Sequence, residues 1–236
     1  MAKAKDNPTN CTPTSKSDPV KEMNELYNTN GGGDKAGSDG KVGGVKSSKS
    51  GIKSKSSKIT PVEVPYGKHY VEGKGKKALK PNIMYTTPEG YKYTTDSKGR
   101  ICNVEGVLQK GVAKRNEYAQ QNVGKGDGRR DGTEGLGKDD GGHLIASIFK
   151  GSGNIDNLVP MNSNLNRGEW KKMENAWANA VYNKDGIERK VEVKITPIYM
   201  DSSQRPTKFI VKYRVDSDDS DAWTTKKFDN EKEGKK

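Results

Sequence analysis

Apolar residues are thinly and irregularly scattered over the first eighty positions, and from Pro81 onward they fall into two regular rhythms. The first rhythm has period two. NIMYTT (82–87), YKYTTD (91–96) and RICNVEGVLQ (100–109), with a turn at Ser97-Lys98-Gly99, predict three strands of a β-meander. VEVKITPIYM (191–200) and KFIVKYRV (208–215) predict a later hairpin. The second rhythm is helical. Trp170, Met173, Trp177 and Val181 form one stripe that would face a core. KRNEYAQQNV (114–123) reads as a helix or turn leaving the meander, and His143–Phe149 as a strand end followed by a short helix. The elements predict an α+β fold with an antiparallel sheet and a central helix.

Composition divides the 236 residues unevenly. Hydrophobic residues make up 29% and mean hydropathy is −1.03, too polar for one core to order the whole length. Gly31–Lys58 is Gly/Ser/Lys low-complexity sequence, the composition of a flexible linker. A short helix is predicted near Asp18–Tyr27, with Asp18 as N-cap and Pro19 at its first position. The expected layout is a disordered tail over 1–79, a folded domain over 80–230 and a charged end over 231–236. The net charge of +12 favours a polyanionic partner. Most of the excess lies outside the domain, however. Residues 1–80 hold 16 Lys against eight acids, whereas the rest holds 27 Lys and Arg against 23 acids. Two cysteines, Cys11 and Cys102, make neither a disulfide framework nor a cysteine zinc site. No apolar run reaches the length of a signal-peptide core or a membrane span, so export, if it occurs, is expected by another route.

The chemistry concentrates in DDGGHLIASIFKGSGNIDNLVPMNSNLNRGEWKKME (139–174). Only His69 and His143 are histidines. His69 falls in the tail and is assigned no role. His143 follows two glycines, which lets a substrate approach closely; by itself it reads more readily as a buried turn histidine. Asn166 with Glu169 three positions on matches a capping box at the start of the Trp170 helix. The Asn166 amide oxygen is also a suitable hard ligand for Mg²⁺, which keeps most of its waters. Glu174, just over two turns on, reads either as an exposed glutamate beside Lys171 or as a holder of metal-bound water.

Three blocks in order resemble the DNA/RNA non-specific endonucleases, the ββα-metal or His-Me finger nucleases with a D-R-G-H motif. They are Asp140-Gly141-Gly142-His143, Asn157-Leu158-Val159-Pro160, and Leu165-Asn166-Arg167-Gly168-Glu169-Trp170 with Glu174. D-D-G-G-H-L-I-A, with R-N-E-Y-A-Q upstream, is most similar to nuclease domains that end polymorphic bacterial toxins of the LXG type. Strong agreement covers about Lys114 to Trp177, with weaker agreement back to Asn82. The resemblance implies a ββα-metal finger on an antiparallel sheet. It implies His143 as general base, Asn166 as the direct ligand of hydrated Mg²⁺ (or Mn²⁺), and Glu174 orienting metal-bound water. Asn157 would brace the finger, and Asp140 would shape the strand end. It further implies DNA or RNA as substrate, an acidic immunity protein as partner, and secretion or delivery without a signal peptide, with a cytoplasmic location as the alternative. Two positions depart from the pattern: Gly141 stands where the family carries Arg, and Met161 where many relatives carry Gln. Arg129, Arg130, Lys138 and Arg167 are the nearby cations that would replace the missing phosphate clamp. A catalytically inactive nucleic-acid-binding module of the same fold is the alternative reading, and a structural or adhesive surface module a third.

Overall fold

A computed structural model describes residues 60–74, 77–132, 137–184, 186–187, 189–216 and 222–230. The expected helix near Asp18–Tyr27, the low-complexity tail up to residue 59 and the charged end at 231–236 lie outside the described residues.

The fold is α+β. A seven-stranded sheet runs in the order β1-β2-β3-β4-β7-β8-β9. Its strands are β1 (Val62–Glu63), β2 (Ile83–Thr86), β3 (Lys92–Thr95), β4 (Ile101–Val107), β7 (Val191–Ile198), β8 (Lys208–Val215) and β9 (Thr224–Asp229). β1 joins β2 in parallel and every other pairing in the sheet is antiparallel. A separate two-stranded antiparallel hairpin pairs β5 (Asp139–His143) with β6 (Leu158–Asn162). Three helices are described: α1 (Glu117–Asn122), α2 (Ser163–Arg167) and α3 (Glu169–Val181). β4 and β7 are sheet neighbours, so α1, the hairpin, α2 and α3 all lie within one excursion between two adjacent strands.

The helical stripe does what its spacing predicts. Trp170, Met173, Trp177 and Val181 are all buried, with Trp170 edge-on to Phe209 at 5.1 Å and Trp177 edge-on to Tyr213 at 5.5 Å. β7 alternates buried and half-buried positions along its length, as a strand with one covered face should. Tyr85 and Tyr93 pair across β2 and β3 with stacked rings. Their hydroxyls leave the sheet to hold the β5–β6 loop, Tyr85 donating to the Asp156 carbonyl (3.0 Å) and Tyr93 to Asn157 Oδ1 (2.8 Å). Tyr91 donates to the Phe149 carbonyl at 2.6 Å. The meander is therefore the anvil on which the hairpin loop is fixed.

Four expectations need correction. Residues 60–74 and 77–79, assigned to the tail by composition, belong to the folded unit. They contribute β1, and His69 is fully buried between the rings of Tyr66 and Tyr85, 3.3 Å from Asp156. Composition misses this because a few aromatic residues suffice to bury a polar segment. Second, His143–Phe149 holds no helix; after His143 the chain makes turns. Third, the helix bearing Trp170 does not start at Asn166. Asn162 is the cap, its side chain accepting from the Asn164 and Leu165 N–H groups, and the chain breaks at Gly168 (φ −100°, ψ −107°) between α2 and α3. Asn166 lies inside α2, so the capping-box reading is set aside and its amide is released for other partners. Fourth, β6 and β9 are strands that the sequence patterns did not single out. Cys102, on β4, is disulfide-bonded rather than a free thiol.

Candidate active site

The hairpin and the two helices after it make a ββα unit, and a cleft of about 560 Å³ opens beside it. His143, Asp140, Asn166 and Glu174 line this cleft together, although they are up to 34 positions apart in sequence. His143 ends β5 opposite Leu158. It is 8% exposed, and its Nε2 is buried without a hydrogen-bond partner. Burial, reinforced by the nearby positive charge of Arg115, pulls its pKa from 6.5 down to about 4. The ring is thus neutral at physiological pH and able to accept a proton.

Glu174 presents the opposite case on the facing helix. Its carboxyl is 7% exposed. Burial raises its pKa to about 7 against the pull of Lys171, whose Nζ is 3.7 Å away. The sequence allowed an exposed glutamate here; α3 instead turns it inward beside Trp170 and Met173.

Asp140 and Asn166 interlock. The Asn166 amide nitrogen donates to Asp140 Oδ2 at 3.0 Å, and Arg167 grips both carboxylate oxygens at 2.8 and 2.9 Å. Burial alone would raise the Asp140 carboxyl, but the bonds from Arg167 and Asn166 outweigh it and hold the pKa below its ordinary value. With its nitrogen fixed on Asp140, the Asn166 amide has its orientation set and its oxygen left unspent. Among the described residues no group of three or more His, Cys, Asp or Glu is gathered to hold a metal. The one oriented amide oxygen of Asn166 fits a hard, largely hydrated cation that needs few protein oxygens.

Asn157 stands behind the cleft as a brace. It is fully buried. Its Oδ1 accepts from the Ile145 N–H (2.9 Å) and Tyr93 Oη (2.8 Å), and its Nδ2 donates to the Ile145 and Ser152 carbonyls, each at 2.8 Å. Three of these bonds fasten the chain that leaves His143, and the fourth ties it to β3.

The four sequence-selected cations separate. Lys138 lines the cleft and is exposed; Arg167 lines it while bound to Asp140. Arg129 lines it too, but its guanidinium donates to the Gln120, Gln121 and Val123 carbonyls at the end of α1 and to the Asp139 carbonyl. That is a structural duty, capping a short helix and stapling it to β5. Arg130 is not among the lining residues; its N–H donates to Asp139 Oδ2 at 2.8 Å.

Three groups were not singled out from sequence. Arg115, in the R-N-E-Y block, lies in the cleft and bears electrostatically on both His143 and Glu174. Asp139 is buried and paired through both oxygens with buried Arg205, at 2.8 and 3.0 Å. Asn230 joins this lock, accepting from Asn162 N–H (2.7 Å), donating to the Pro160 carbonyl (3.0 Å) and receiving Arg205 on its own carbonyl. The acid pair Asp139-Asp140 was the available signal for division of labour; its partners lie too far along the chain to be read from spacing.

The two departures from the family pattern have steric explanations. A Cβ on Gly141 would meet the Gln120 carbonyl oxygen at 2.3 Å, because α1 packs directly over that strand position. Met161 is fully buried and lies against Gly142, where an added Cβ would meet Met161 Cβ at 2.7 Å. It is a core residue and not a cleft residue.

Comparison with known proteins agrees with this architecture. A family model described as DNA/RNA non-specific endonuclease matches residues 81–217. Type VII secretion system protein EssD of Staphylococcus aureus, in strains USA300 and NCTC 8325 / PS 47, is 41% identical over 163 residues, covering 66% of this chain and 25% of each relative. The chain thus spans about a quarter of the length of these relatives. With more than half its length matched by the family model, the chain belongs to the DNA/RNA non-specific endonuclease family.

Proposed function

We propose that this protein is a metal-dependent endonuclease that hydrolyses DNA and RNA phosphodiesters without sequence preference, and that it acts as a secreted toxin. The observation that carries the reading is the convergence of His143, Asn166 and Glu174 on one cleft, with His143 neutral and Asn166 oriented by Asp140.

His143 accepts a proton from the attacking water, and its burial keeps the ring unprotonated for that step. Asn166 Oδ1 would hold a hydrated Mg²⁺, with Mn²⁺ able to substitute, and Glu174 would orient the waters around it. When bound, the cation supplies charge stabilisation at the phosphate and leaving oxygen. Arg115 and Lys138 supply positive charge at the cleft in place of the arginine that Gly141 excludes. Such a site addresses phosphate and no base edge, which accounts for the absence of sequence preference. It also has no need of a 2′-hydroxyl, so both nucleic acids qualify.

The EssD relatives bear a type VII secretion name, and by analogy this chain would leave the cell through such a system. Within the described residues no helix is long and apolar enough to cross a membrane. A nuclease able to attack its producer's own nucleic acid calls for an inhibitor. An acidic immunity protein covering the cleft, steered by opposite charge toward its exposed Arg115 and Lys138, is the expected partner.

Plasmid nicking and RNA degradation by the purified chain, with Mg²⁺ or with EDTA, beside His143→Ala, tests the proposal. Cutting that needs the cation and disappears in the variant is the expected result. A wild-type chain that binds DNA but cuts nothing with either Mg²⁺ or Mn²⁺ would make it a binding module of the same fold.

A further inference from the structure

A second groove, of about 580 Å³, lies across α1 from the catalytic cleft. The helix is the wall between them. Glu117, Gln120 and Gln121 face the catalytic side, whereas Tyr118, Ala119 and Asn122 face the other. The hairpin is shared as well, with His143 and Asp140 on one side and Leu158, Val159 and Pro160 on the other.

The chemistry of this groove is one-sided. Lys77, Lys98 and Lys125 stand exposed around it, and no Asp or Glu is among its lining residues. Arg100 lies beneath them, but its guanidinium is taken up by Asp96 and by the carbonyls of Asp201 and Ser203. Tyr118 is 70% exposed on the rim, an unusual position for a large ring with no packing duty. The floor is apolar, with Leu158 and Val159 buried. Three lysines about an open aromatic ring and an apolar floor make the surface that holds a phosphate chain while a base stacks. A base can lie on the open Tyr118 ring only when it is unpaired, so the surface addresses a single strand and not a duplex. The chain's own residues 1–59 are poor occupants, since they carry 11 Lys against six acids.

The geometry points to this groove as an exosite for single-stranded nucleic acid, holding the substrate strand beyond α1 while the catalytic cleft cuts it. This rests on the nuclease reading of the cleft. A helix with its side chains is roughly 10–12 Å across, so the exosite engages only a strand long enough to pass α1 while it also fills the cleft.

The test is fluorescence anisotropy with the full chain carrying His143→Ala, in EDTA, so that binding is read without cutting. The probes are a 4-nucleotide and a 20-nucleotide single strand and a 20-base-pair duplex. Lys77→Gln/Lys98→Gln/Lys125→Gln should weaken the 20-mer more than tenfold and flatten its log–log salt slope by about 2, at ~0.7 for each phosphate no longer neutralised. Tyr118→Ala should weaken it roughly tenfold with no change in slope. The 4-mer should shift less than twofold. An equal charge loss on distant exposed positions, Lys190→Gln/Lys208→Gln/Lys227→Gln, should leave the 20-mer within about twofold. The exosite is overturned if the groove variants bind the 20-mer as tightly as their parent. It is equally overturned if the distant triple weakens binding as much, or if the duplex loses as much as the single strand. Because this readout involves no catalysis, it stands or falls apart from the His143 mechanism. Cation-dependent cutting that survives His143→Ala would sink the mechanism and leave the groove result untouched.

Discussion

At the scale of single residues, the cleft sets two buried titratable groups against each other. His143 is pulled down from 6.5 to about 4, and Glu174 is pushed up from 4.5 to about 7, both mainly by burial. Linkage gives these shifts opposite signs. Between about pH 4 and 6.5 the unfolded chain protonates its histidine and the folded chain does not, so the His143 contribution to stability rises with pH. Between about 4.5 and 7 the folded chain holds a proton on Glu174 that the unfolded chain has released, so that contribution falls with pH. Without metal the two largely cancel, and the wild type should melt at nearly the same temperature from pH 5 to 6.5. Glu174→Gln leaves the histidine arm alone, so the variant should grow more stable over that range. His143→Ala leaves the glutamate arm alone, so it should grow less stable. Each arm is worth at most ~3 kcal/mol. Thermal melts in EDTA at half-unit pH steps decide it, and parallel curves for all three proteins would refute the opposed-pair account. Asn157 makes a simpler case. Asn157→Ala strips four hydrogen bonds from buried partners and should cost roughly 3 kcal/mol or more. The segment after His143 would lose its fixed path, so cutting should fall beyond what unfolding explains when activity is compared well below the melting temperature.

At the scale of elements, α1 explains both what the site lacks and what was hidden in the sequence. Its backbone lies on Gly141, so restoring the family arginine there cannot restore a clamp. Gly141→Arg should instead drive α1 off the hairpin, lower the melting temperature and expose the helix to protease cleavage near Gln120. Gly141→Ala already introduces the clash at the Gln120 carbonyl and should act in the same direction. A more active and equally stable Gly141→Arg protein would show that α1 yields easily and that the steric account is wrong. The sequence showed the meander, the β7–β8 hairpin and the Trp170 stripe clearly, because each has a period that side-chain burial imposes. It brought His143, Asn166 and Glu174 into view through ordered resemblance, since no periodicity relates a strand end to a helix interior. What stayed hidden depends on partners remote in the chain. β6 carries a proline and an asparagine, and it is a strand because β5 and the Asn230 side chain hold it there. Asn166 resembled a cap because Glu169 follows at the right distance, yet Asn162 does the capping and Gly168 breaks the helix between them. His69 looked idle in a polar stretch because the rings that bury it come partly from β2.

At the scale of the whole molecule, the excursion that carries the cleft leaves the sheet after β4 and returns at β7, and its open end is closed by residues from the far end of the chain. Asp139 begins the hairpin and pairs with Arg205 from the β7–β8 connection; Asn230, just past β9, binds both strand β6 and Arg205. The family match ends at residue 217, before β9. A chain ended at 217 would therefore keep all of His143, Asn157, Asn166 and Glu174 and still lose the lock. Arg205 and Asp139 would remain paired, but the Pro160 carbonyl and the Asn162 N–H would be left without the Asn230 side chain. The sheet neighbour of β9, β8, would gain an open edge as well. Removing a member of such a buried polar set costs roughly 3–5 kcal/mol when charge is left uncompensated, and rather less for Asn230, whose loss leaves neutral groups unpaired. Arg205→Met, which strands Asp139 in the interior, should accordingly be more damaging than Asn230→Ala. The 217-residue chain should be damaged most, since it loses Asn230 and β9 together. At about 2–4 °C per kcal/mol for a domain of this size, Arg205→Met should melt roughly 10 °C or more below the wild type. Scanning calorimetry of the three proteins ranks them. A truncated chain that melts with the wild type and cuts as fast would mean that the hairpin is held by α1 and the meander tyrosines alone.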